Sequence, residues 1–105
     1  MRDQNAEPAI DIVSGFLGFK VADAEDLDEI RAGLRQTAQV SIRKLRRELA
    51  AFEAVLAEPP AVPGALAPMV AREGNWVLDD PSDAAAATFL GDLAQMLREI
   101  LEEAR

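Results

Sequence analysis

From Leu27 to Leu56 apolar residues recur at steps of three and four: Leu27, Ile30, Leu34, Ala38, Ile42, Leu45, Leu49, Phe52 and Leu56. That spacing stacks all of them on one face of an α-helix and does not fit the strict alternation of a half-buried strand. The stretch contains no Pro, and Gly33 is its only Gly. As a single helix it would extend roughly 45 Å at ~1.5 Å per residue, an overhang for so short a chain. A break is therefore predicted where the large apolar residues give way to Gln36, Thr37, Ala38 and Gln39, with Thr37 capping the next helix, which runs to Ala57.

The flanks supply the partners such a stripe needs. Pro8 suits the start of a helix, and Ile10, Val13, Phe16 and Leu17 follow at spacings of three and four, with Ile12 and Phe19 widening the face. Gly15 and Gly18 weaken this helix, so they either admit a close neighbour or mark its end, which is predicted near Phe19. Asp23 is the predicted cap of the second helix, with Glu25, Asp26, Asp28 and Glu29 at the positive end of its dipole. Pro59, Pro60, Pro63 and Gly64 impose an extended connection, and a short helix over residues 65–72 is predicted to stop at Gly74. After a brief extended piece, Asp79, Asp80, Pro81, Ser82 and Asp83 accumulate N-terminus signals. The final helix then turns Ala86, Phe89, Leu90, Leu93, Leu97, Ile100 and Leu101 inward.

Composition agrees with this reading. The aromatic residues are four Phe and Trp76, there is no Tyr, and Ala, Leu, Val and Ile dominate the apolar half of the chain. Such a mixture favours helices over sheets. The predicted fold is all-α: a compact bundle of four to five helices with one long central helix and a long C-terminal helix. Residues 1–7 are expected to form a disordered tail and residues 8–105 a single helical domain.

Charge and missing residue types narrow the function. The chain has no Cys and no His, which removes thiolate metal sites, the commonest general base and the commonest transition-metal ligand. Ser14, Ser41 and Ser82 therefore lack a His to activate them, and no spacing singles out a pair among the nineteen carboxylates. No enzymatic activity, metal or cofactor is expected. A formal net charge of −8 disfavours direct contact with nucleic acid or an anionic membrane and favours a basic protein partner. With no apolar run long enough to span a bilayer and a polar opening, the chain is expected in the cytoplasm.

Three features are candidates for partner contact. Asp23, Glu25, Asp26, Asp28 and Glu29 read either as compensation of a helix dipole or as a docking face for a basic protein; they lack the central Gly and closing Glu of a calcium loop. Arg43, Lys44, Arg46 and Arg47 read as a solvated face pairing with Glu48, Glu53 or the acidic segment. A nucleic-acid helix is the weaker reading there, because no aromatics are interleaved. Trp76, beside Asp79, Asp80 and Asp83, either plugs the end of the bundle or anchors a partner, and the plug is the preferred reading.

The order of these segments resembles the small all-helical immunity proteins of bacterial contact-dependent growth inhibition systems. The likeness lies in the opening Phe16, Leu17, Gly18 and Phe19, the acidic helix from Asp23 to Arg35, and the Arg-, Glu- and Leu-rich helix from Ile42 to Ala57 closing on Glu58 and Pro59. It continues through Gly74, Trp76, the Asp80–Pro81 turn and the helix from Phe89 to Leu101. Lys20, Val21 and Ala22 stand where the family carries an aromatic run with His and Trp, and Asn75 stands in place of its Cys. The resemblance implies a cytoplasmic inhibitor that binds the basic toxin domain at the C-terminus of a delivered effector and performs no chemistry itself. The alternative is a small homodimeric adaptor or structural protein, paired through an exposed part of the Leu27–Leu56 stripe.

Overall fold

The computed structural model describes residues 8–58, 64–80 and 82–104. The expected tail over residues 1–7, and Pro59, Pro60 and Pro63 of the expected connection, lie outside the described residues. The fold is all-α. Helix α1 (Ala9–Phe16) runs into a π-helical turn (Leu17–Val21), followed by α2 (Leu27–Val40), α3 (Ile42–Ala57), α4 (Leu66–Glu73) and α5 (Asp83–Glu103). Helices α1, α2 and α5 all pack on α3, α2 also packs on α5, and α4 lies against α5 and α1.

The stripe forms the expected helices, but they divide later than expected. Ser41, in an extended conformation, donates its N–H to the Thr37 carbonyl, ending α2. Its hydroxyl accepts from the Lys44 N–H at 3.1 Å, starting α3. Thr37 does not cap. Its hydroxyl donates back to the Gly33 carbonyl at 3.1 Å and accepts from Lys20 Nζ at 2.6 Å, which keeps it within α2. The start of α2 is also displaced, because Asp26, and not Asp23, accepts from the Glu29 N–H at 2.9 Å. Glu29 Oε1 in turn accepts from the Glu25 N–H at 2.6 Å, an arrangement close to a capping box.

The first helix continues two residues beyond the expected stop at Phe19. The Ala22 N–H donates to the Leu17 carbonyl five residues earlier, at 2.9 Å. This wider turn shifts the phase of the helix. Leu17 and Val21 point into the core, whereas Phe19, read as part of the apolar face, is 75% exposed.

The core joins Val13, Phe16 and Leu17 with Ile30, Leu34, Leu45 and Phe52, and with Phe89, Leu90, Leu93, Leu97 and Ile100 of α5. Phe16 meets Phe52 edge to face, with centroids 4.9 Å apart. Each fully buried Leu or Phe contributes about 1.5–3 kcal/mol. Outside the core, Arg31 binds Glu99 at 2.9 Å and Arg35 binds both oxygens of Glu103 at 3.0 and 3.1 Å, tying α2 to α5. Arg98 of α5 reaches Glu53 of α3 at 3.0 Å.

Glu48 takes the expected ion pair with Lys44, but on a buried side chain. It is buried, with Oε2 accepting from Lys44 Nζ at 3.0 Å and Oε1 finding no partner among the described residues.

Helix α4 ends at Gly74, as expected, and the reason is space. A Cβ on Gly74 would lie 2.8 Å from the Val70 carbonyl oxygen and 3.4 Å from Val21 Cγ1. The left-handed turn after the helix falls to Asn75, at φ 46°, a conformation Asn tolerates better than most side chains.

Candidate functional site

The π-turn and the start of α2 build one candidate surface. Asp23, Glu25, Asp26, Asp28 and Glu29 are all exposed. Asp26 and Glu29 also cap the helix, so two of the five carboxylates have a structural role, and Asp23, Glu25 and Asp28 are the ones whose side chains accept no hydrogen bond among the described residues. Phe19, Lys20, Asp23, Glu29 and Gln36 line an open groove of about 420 Å³ here. An exposed ring thus lies beside two carboxylates. The basic side of the same region is Lys20, whose ammonium is held by Thr37, and Lys44, which sits 6.0 Å from the centre of the Phe19 ring.

The second candidate surface lies between α4 and the segment that follows it. Trp76 stacks on Phe89 of α5, with centroids 5.2 Å apart and an interplanar angle of 22°, so it covers the core there as the plug reading expected. It also lines a groove of about 620 Å³ with Ala67, Pro68, Ala71, Val77 and Leu78. Val77, at 91% exposure, is the most exposed large apolar side chain among the described residues. Asp79 and Asp80 are exposed just beyond Leu78.

The polar groups at this groove serve the backbone. Asp83 accepts from the N–H groups of Gly64 at 2.7 Å and Ala67 at 3.0 Å, so the first turn of α5 caps the start of α4. Ser82 Oγ caps α5 through the Ala85 N–H, and Asp80 Oδ1 accepts from the Ser82 N–H. The acidic segment and the Trp76 cluster line separate grooves. Sequence reasoning missed Phe19, Pro68, Ala71 and Val77 as surface determinants. Only Phe19 carried a signal, as an aromatic following Gly18 at the end of its helix.

Among the described residues no group of three or more Asp or Glu is placed to hold a metal ion, and no helix is long and apolar enough to cross a membrane. Of the basic cluster, Arg43 and Arg46 are exposed and Lys44 is committed to Glu48. Glu53 is taken by Arg98 instead. The stripe proposed for self-pairing is largely covered, with Ile30, Leu34, Leu45 and Phe52 at most 1% exposed.

Electrostatics are most perturbed on the α2–α5 seam. Hydrogen bonds from Arg31 and then Gln95 hold the Glu99 carboxyl below its ordinary range, and the hydrogen bond from Arg35 does the same for Glu103. The Arg35 guanidinium is raised by the same pair. These exposed ion pairs serve the fold.

Comparison with known protein families, curated proteins and solved structures returns no match, so only this chain's own residues bear on what it does.

Proposed function

We propose that this chain is an immunity protein, which binds the C-terminal toxin domain of a contact-dependent growth inhibition effector and neutralises it by occupying a basic surface. The observation that carries the reading is the edge formed by the π-turn and α2, where Asp23, Glu25 and Asp28 stand exposed and Phe19 shares a groove with Asp23. Exposed carboxylates attract a basic partner and set its orientation, and an exposed ring gives that partner apolar area to bury. A toxin whose cleft is built for an anionic polymer presents the complementary charge. The order of segments, which resembles that of the small helical immunity proteins, supports the same reading.

The test is co-expression with the C-terminal domain of the neighbouring gene's product, scored by growth. Wild-type chain restores growth. Joint replacement of Asp23, Glu25 and Asp28 by Lys leaves the Asp26 and Glu29 caps in place and abolishes rescue while the protein remains folded. Full rescue by the folded triple variant removes the acidic edge from the account. Failure of the wild-type chain to rescue removes the immunity reading itself.

A further inference from the structure

We infer that the groove between α4 and the Trp76–Leu78 segment is a second binding site, which seats an apolar side chain of a basic protein partner between flanking Lys or Arg residues. The inference rests on the reading of the partner as a basic protein, and not on that partner being a toxin.

The floor and walls are apolar: Ala67, Pro68 and Ala71 from α4 face Trp76, Val77 and Leu78. A space of about 620 Å³ is ample for one large side chain with part of its backbone. Trp76 is held by its stacking on Phe89 and Gly74 packs at the start of the segment, so the wall is preorganised and binding costs little ordering. Val77 stands almost fully exposed on the wall among the described residues.

Charge selects the occupant. Among the described residues Asp83 is the only charged side chain lining the groove, and the exposed Asp79 and Asp80 follow its wall residue Leu78 directly in the chain. From residue 73 to residue 97 the chain contains no Lys or Arg. The nearest cation in sequence, Arg72, lines a different cleft with Ile10 and Met69. An apolar slot with an anionic rim favours an aliphatic or aromatic side chain that brings cations with it, and disfavours an acidic one. A second copy of this chain, itself acidic, is the less complementary occupant.

Trp76 is the only tryptophan, so its emission reports on the groove directly. Three synthetic peptides serve as probes for the intact chain: a leucine–phenylalanine pair flanked by lysines, the same pair flanked by glutamates, and glycines flanked by lysines. The lysine-flanked apolar peptide is expected to shift Trp76 emission and to bind at least about tenfold more tightly than either control. Ala71→Phe, an exposed position on the groove wall, fills the slot and is expected to abolish that binding with helical circular dichroism unchanged. Asp79→Lys, at an exposed side chain with no partner among the described residues, weakens the lysine-flanked peptide about three- to tenfold and narrows its preference over the glutamate-flanked one.

No shift with any peptide overturns the proposal, as does equal binding of all three or undiminished binding to both variants. Saturation of the shift by hexanol where no peptide acts would assign the groove to a small apolar molecule instead. A dimer dissociated by Ala71→Phe would assign it to a second copy. Because no toxin is present, these outcomes stand apart from the growth assay: the groove can fail while rescue holds, and rescue can fail while the peptide binds.

Discussion

Glu48 gives the sharpest test of the packing. Only 5% of the residue is exposed, Oε1 has no partner among the described residues, and Oε2 meets Lys44 Nζ at 3.0 Å. Desolvating a carboxylate costs several kcal/mol, and one hydrogen bond offsets that incompletely. The Lys44 side chain is 44% exposed, so the pair sits at the solvent boundary and the full values for buried ion pairs do not apply. Glu48→Leu removes the buried charge and adds apolar volume at similar size. It is expected to raise the unfolding free energy by about 1–2 kcal/mol, the lower half of the range for such replacements. Lys44→Ala leaves both carboxylate oxygens without a protein partner and is expected to lower it by about 1–2 kcal/mol. In a domain of this size each kcal/mol moves the melting midpoint by about 4–8 °C, so the two variants shift in opposite directions by readily separable amounts. Urea unfolding followed by circular dichroism measures both. A loss of more than about 1 kcal/mol in Glu48→Leu would refute the reasoning, because it would mean that the carboxylate is fully satisfied where it lies.

Two further outcomes follow from the geometry. Gly74→Ala places a Cβ 2.8 Å from the Val70 carbonyl oxygen, a backbone atom that cannot swing aside. The expected cost is about 1–3 kcal/mol in thermal unfolding, with a red shift of Trp76 emission as the following segment is displaced. The pH dependence comes from the α2–α5 seam: Glu99 and Glu103 titrate lower in the folded state than their ordinary value of 4.5. Depressed carboxylates stabilise at pH values above that ordinary value, and their contribution is lost as pH falls through the folded values. Joint replacement of Arg31 and Arg35 by Gln should therefore leave stability at low pH unchanged and lower it slightly at neutral pH, since exposed pairs contribute little, so that the acid limb of the melting curve becomes shallower by that same small amount.

What was legible in the chain is what periodicity encodes. Ile30, Leu34, Leu45 and Phe52, and the α5 residues from Ala86 to Ile100 read as inward-facing, are buried as their spacing required. Trp76 reads as a plug because a chain with five aromatics can hardly leave the largest of them in water, and it stacks on Phe89. The choice between Thr37 and Ser41 was not legible. Both hydroxyls can cap a helix, and the Lys20 ammonium, seventeen residues away, binds Thr37 and leaves the break to Ser41. Asp23 and Asp26 posed the same ambiguity, resolved by the Glu29 N–H. Phe19 failed as a core residue because a π-turn advances the helix by a different angle, and no local composition announces such a turn. The groove was invisible for another reason: Ala67, Pro68 and Ala71 carry no periodic signal, and their cavity exists only once α4 meets the 76–78 segment.

The central claim is that negative surface recruits a positive partner. The affinity of the purified chain for the candidate toxin domain, measured by calorimetry from about 0.05 to about 0.5 M salt, tests it most directly. The account predicts affinity that falls steeply with salt, and a triple Lys variant at Asp23, Glu25 and Asp28 that binds at least about a hundredfold more weakly at the low end. Equal affinity for the two proteins, unchanged across the salt series, would contradict it.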